Sequence, residues 1–65
     1  MTMFYVLLVS HYGKFLLDCQ SWNKGELLAI QRHLERQGDD TLLVEANSDS
    51  DEDIQAAVTK CFDNT

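Results

Sequence analysis

Hydrophobic positions along the chain fall into five blocks, and their spacing changes from one block to the next. Residues 3–9, MFYVLLV, are apolar without interruption and rich in β-formers. A run of that length suits a buried strand. SHYG follows as a turn, with Gly13 free to take a positive φ. Residues 14–19, KFLLDC, read as a second strand, so the two segments predict a β-hairpin. Alternation puts Phe4, Val6 and Leu8 on one face of the first strand and Met3, Tyr5, Leu7 and Val9 on the other. In the second strand it groups Phe15, Leu17 and Cys19 against Lys14, Leu16 and Asp18.

The period then changes. WNKGEL opens a helix with Asn23 as N-cap and Glu26 as its reciprocal partner three residues on. Trp22 and Leu27 have the spacing of a hydrophobic staple. Leu27, Ile30 and Leu34 give an apolar stripe with Leu28 at its edge, and Gly38 stands where a helix over residues 24–37 would end. Residues 41–46, TLLVEA, form a third strand, with Leu42, Val44 and Ala46 opposed to Leu43 and Glu45. Ser50 then caps a second helix. Its first turn is Asp51, Glu52 and Asp53, and its stripe is Ile54, Ala57, Val58, Cys61 and Phe62. Acids in a first turn meet the positive end of the helix dipole, so much of the SDSDED cluster has a local purpose.

The order ββαβα predicts an α+β fold in two layers. A helical crossover between the second and third strands makes those two parallel. The first strand, the most apolar, belongs at the centre. The expected architecture is a three-stranded mixed sheet of order 2-1-3 with two helices on one face. The helices would pack on Phe4, Val6, Leu8, Phe15, Leu17, Leu42 and Val44. The opposite face would keep Met3, Tyr5, Leu7, Val9, Leu16 and Leu43 without a covering layer, and an uncovered apolar face of that kind marks a partner-binding surface.

Composition narrows the reading. Sixty-five residues, 45% hydrophobic, make a single small α/β domain spanning 1–65 and argue against disorder. Two cysteines do not make a disulfide framework. The apolar opening lacks a positively charged start and a small-residue cleavage site, and it is too short to span a bilayer. A cytoplasmic protein with reduced thiols is expected.

Net charge is −6, divided as +1 over residues 1–38 and −7 over residues 39–65. That balance disfavours direct binding to nucleic acid or an anionic membrane and favours a protein partner with a basic surface.

Candidate chemistry fails at the positions that matter. Asp49, Asp51 and Asp53 match the start of a calcium loop, but Ile54 and Lys60 replace the glycine and the bidentate glutamate that its geometry needs. His11, Cys19, His33 and Cys61 lack the close pairing of structural zinc ligands. Cys19 beside His11 or His33 would make a nucleophile only inside a pocket that a domain this small rarely offers. Gly13, Gly25 and Gly38 form no phosphate-cradling run. No catalytic residue, cofactor or metal is therefore expected. Arg32 and Arg36, with Lys24, read as a solvated helix face. Tyr5 and Tyr12 are candidate aromatic anchors.

The expectation is a non-catalytic interaction module. It would act as an inhibitor or regulator that binds a host protein, self-associates through the sheet face, or both. Asp39, Asp40, Asp49, Asp51, Glu52 and Asp53 would face a basic partner. The alternatives are a nucleic-acid mimic that uses those same acids to occupy a basic groove, and a small enzyme or metal-binding protein.

Overall fold

The computed structural model describes residues 3–63, with residues 1, 2, 64 and 65 of the expected domain outside that description. The chain runs β1 (Phe4–His11), β2 (Lys14–Ser21), α1 (Lys24–Arg36), β3 (Thr41–Ala46) and α2 (Asp51–Asp63). Strand order is β2-β1-β3, as expected. The mixed sheet is corrected: β1 pairs antiparallel with both neighbours. The crossover does send β2 and β3 in the same direction. The apolar β1 lies between them, so no parallel ladder forms.

Local chemistry sets the element ends. Tyr12 at φ 53° and Gly13 at φ 82° close the hairpin between His11 and Lys14. Two successive positive φ values are the signature of a type I′ turn, whose twist matches that of the strands. At the start of α1 the Asn23 side chain accepts the Gly25 N–H at 3.0 Å. Glu26 closes the cap indirectly. The Ser21 hydroxyl accepts the Asn23 N–H at 3.0 Å and donates to Glu26 at 3.1 Å. At the far end, Gly38 (φ 89°) donates to the Glu35 carbonyl and Asp39 to the Leu34 carbonyl, a Schellman closure. Ser50 caps α2 by accepting the Asp53 N–H at 3.2 Å.

The layering differs from expectation: the helices lie on opposite faces, giving three layers. Ile54, Ala57, Val58 and Cys61 of α2 pack on Phe4, Val6, Leu8, Val44 and Ala46. Every polar tie of α1 goes to the other face. Lys24 lies 3.8 Å from Glu45 and 5.7 Å from the centre of the Tyr5 ring, and Gln31 donates to Thr41 at 3.1 Å. Thr41 and Glu45 pair with Val9 and Tyr5, which fixes the side on which α1 sits. Leu27 is buried there, and Leu7 and Val9, on the face expected to be bare, are 0% and 3% exposed.

The physical reason is β1 itself. Its uninterrupted apolar run loads both faces with side chains that water disfavours, and one helix per face removes more of that surface than two on one side.

Each helix nevertheless covers less than the full sheet. Three strands span about 14 Å, and a helix with its side chains is about 10 Å across. α2 lies chiefly over β3. The shortfall falls on β2, where Phe15, Leu16 and Leu17 remain 37%, 52% and 51% exposed.

A second departure sits within β2. Leu7 pairs with Cys19 but Leu8 pairs with Leu17, which leaves Asp18 as an extra residue. This bulge reverses the alternation beyond it. Cys19 thus shares the α1 face with Leu7 instead of the α2 face with Phe15 and Leu17. Trp22, expected to staple Leu27, meets Phe4 edge-on at 5.0 Å between ring centres, on the face opposite α1.

Candidate interaction surface

The six residues expected to form one apolar sheet face divide. Leu7 and Val9 are enclosed, Met3, Tyr5 and Leu43 are half-buried, and Leu16 is open to solvent. The premise of a bare face is corrected by α1. Apolar exposure is instead gathered along an edge. Among the described residues eight large hydrophobic side chains stay exposed, and five of them, Tyr12, Phe15, Leu16, Leu17 and Trp22, fall within residues 12–22. Phe62 of α2 sets its ring against Phe15 at 5.8 Å.

Beside them runs an open groove of about 460 Å³ between β2 and α2, floored by Leu8 and walled by Phe15, Leu17, Ile54 and Val58. It exists because α2 is set toward β3. Ile30 extends the apolar rim on the other side. Lys24 and Gln31 reach β3, so Ile30, on the opposite flank of Leu27, is placed toward β2.

Tyr12 stands at the tip of this edge. Its side chain is fully exposed, and its backbone holds the left-handed conformation that disfavours a residue with a Cβ. The type I′ turn requires that conformation at both of its central positions.

The acids lie elsewhere, in two groups. Ser10 donates to the Asp40 carbonyl at 2.9 Å, which places Asp39 and Asp40 at the hairpin end of the sheet. Phe4 pairs with Ala46, so the loop carrying Asp49 and the α2 start with Asp51, Glu52 and Asp53 lie at the opposite end. The six residues of β3 separate the groups by about 20 Å. Asp53 is also drawn inward, accepting a short hydrogen bond from the Ser48 hydroxyl. Among the described residues the only ion pair joins Lys24 to Glu45, and it involves none of the six carboxylates.

Cys19 and Cys61 are free thiols on opposite faces of the sheet. Partial burial, with the hydrogen bond and negative charge of Asp18, raises the Cys19 thiol above its ordinary value of 9.0. That is the opposite of the adjustment a nucleophilic cysteine needs. His33 pairs with Gln37 on the exposed side of α1. Among the described residues no group of three or more His, Cys, Asp or Glu is placed to hold a metal, and no helix is long and apolar enough to cross a membrane.

Sequence reasoning named Leu16, and Tyr12 as a possible anchor, but not Phe15, Leu17 or Trp22. The signal for them was an edge strand apolar on both faces, in a chain with too few helices to cover three strands twice. Comparison with family models, curated proteins and solved structures finds no match to this chain.

Proposed function

We propose that this chain is a small non-catalytic interaction module, an inhibitor or regulator that docks on another protein through its β2 edge. The observation that carries the reading is the apolar strip of Phe15, Leu16 and Leu17, extended by Tyr12, Trp22 and Phe62, each of which keeps more than a third of its surface exposed to solvent. An apolar cluster on so small a surface fits an interface core, and Tyr and Trp are the residue types that most often anchor one. The acidic groups at either end of the sheet suit a partner whose rim is basic. They would speed encounter and set orientation rather than supply most of the affinity. A groove-filling mimic fits less well, because its carboxylates would have to run as a continuous array and here they are split.

Affinity capture with the immobilised chain tests this. Wild type, Leu17→Asp and Asp51→Asn/Glu52→Gln are compared, each first checked for unchanged circular dichroism. The expected result is a protein held by wild type through a high-salt wash, lost with Leu17→Asp and only weakened with the acidic variant. Capture indifferent to Leu17→Asp overturns the reading. Capture abolished by salt and by loss of the acids alone overturns it in favour of the mimic.

A further inference from the structure

The sequence of the exposed edge is complementary to itself. Residues 14–18 read Lys-Phe-Leu-Leu-Asp, a cation and an anion flanking three apolar residues. All five are exposed. We infer that β2 pairs antiparallel with β2 of a second copy, about a two-fold axis through Leu16, to form a six-stranded sheet. The inference rests on the β2 edge being the docking surface and names a second copy as its occupant.

Three observations fix this register. The first is backbone polarity. The two-residue turn makes His11 and Lys14 the closing hydrogen-bonded pair of the hairpin. Ladder alternation gives Val9 and Leu16 the same role. The N–H and C=O groups of Phe15 and Leu17 therefore point outward, away from β1. With the axis at Leu16, Phe15 of one copy stands opposite Leu17 of the other, and these outward groups satisfy each other on both sides of the axis.

The second is side-chain matching. A two-fold axis normal to the sheet keeps each face on the same side in both copies. On the α1 side Leu16 meets Leu16, and Lys14 meets Asp18 twice. On the α2 side Phe15 meets Leu17 twice, which closes the open flank of the groove. Moving the axis by one residue to Leu17 sets Leu16 against Asp18, and moving it to Phe15 sets Lys14 against Leu16. Neither register matches charge with charge.

The third is the limit of the edge. Strand edges are commonly guarded by proline or by bulges that end pairing. Proline is absent from the chain, and the bulge at Asp18 falls at the last residue the proposed register uses. The opposite edge, β3, has no comparable strip. Its Val44 and Ala46 are buried, its Leu42 and Leu43 are half-buried, and Glu45 is tied to Lys24.

Sedimentation equilibrium on wild type, Lys14→Asp, Asp18→Lys and the double charge swap tests the register, since all these positions are exposed and the fold is not at stake. The expected result is a wild-type dimer, about ten-fold weaker self-association in each single variant, and recovery in the double swap to within about three-fold of wild type. Single swaps that leave the dimer unchanged, or a double swap that fails to recover it, overturn the inference. A wild-type monomer at every concentration also overturns it. The interaction reading survives that last result if Leu17→Asp still abolishes capture of a foreign protein, and falls with it if capture is indifferent to that change.

Discussion

Truncating Leu7 separates a sheet enclosed on both sides from one left bare on one side. Leu7 is 0% exposed on the α1 face, and Leu27 of that helix is 1% exposed. Removing a buried leucine side chain to alanine costs about 2–5 kcal/mol, from lost burial and the cavity left behind. A chain of this size has a total stability on the order of 3–5 kcal/mol. Leu7→Ala is expected to cost about 3 kcal/mol, so of roughly 4 kcal/mol about 1 remains and roughly one molecule in six is unfolded in water.

Urea denaturation followed by Trp22 fluorescence and far-ultraviolet circular dichroism measures this. It is run dilute, so that self-association adds nothing to apparent stability. With a denaturant slope of about 1 kcal/mol per molar, the midpoint falls by about 3 M. Leu16→Ala, at a position 52% exposed on the same face, is the control and should cost under about 1 kcal/mol. Equal midpoints for the two variants would refute the claim that α1 covers this face.

Other consequences are open to direct measurement. Tyr12→Asn places a residue tolerant of the left-handed conformation before Gly13 and should raise stability by about 1 kcal/mol in thermal melts while weakening partner capture. Ser50→Ala removes the acceptor of the Asp53 N–H and should cost about 1 kcal/mol, read from the urea midpoint. The Cys19 thiol is raised in the fold, so alkylation of Cys19 should set in at higher pH than for a free cysteine peptide, and Asp18→Asn should move the onset back down. The linkage has a definite sign. The folded state holds the Cys19 proton more tightly than the unfolded state does, so its stabilising contribution is complete below the ordinary thiol value and is lost as pH rises through the raised one.

The elements and their order were legible because local chemistry marks each of them. Asn23, Gly38 and Ser50 sit at the helix ends where their side-chain acceptors or backbone freedom are used, and the Tyr12–Gly13 turn separates two apolar runs. The face each helix covers was not legible from its stripe, because an amphipathic helix records that it is buried but not on which side of the sheet. The information lay in β1. A run that offers Val6 and Leu8 to one side and Leu7 and Val9 to the other leaves a large apolar area in water unless both sides are covered.

The bulge at Asp18 was invisible for a related reason. KFLLDC alternates as well with it as without it, and only the pairing with β1 decides that Cys19 turns to the α1 face. The exposed apolar strip on β2 followed from these two corrections. Once each face has a single helix, the outermost strand is the one left uncovered. Asp51, Glu52 and Asp53 do stand in the first turn of α2, behind the Ser50 cap, while the split of the acids between the two ends of the sheet depended on the pairing of β3 with β1.

Amide hydrogen exchange at β2, followed residue by residue across protein concentration, probes the proposed docking edge most directly. The amides of Lys14 and Leu16, turned toward β1, should be protected at every concentration. Those of Phe15 and Leu17, turned outward, should exchange quickly in micromolar solution and become protected toward millimolar, with the Lys14→Asp variant remaining unprotected there. Exchange at Phe15 and Leu17 that stays fast and independent of concentration would contradict strand pairing at this edge.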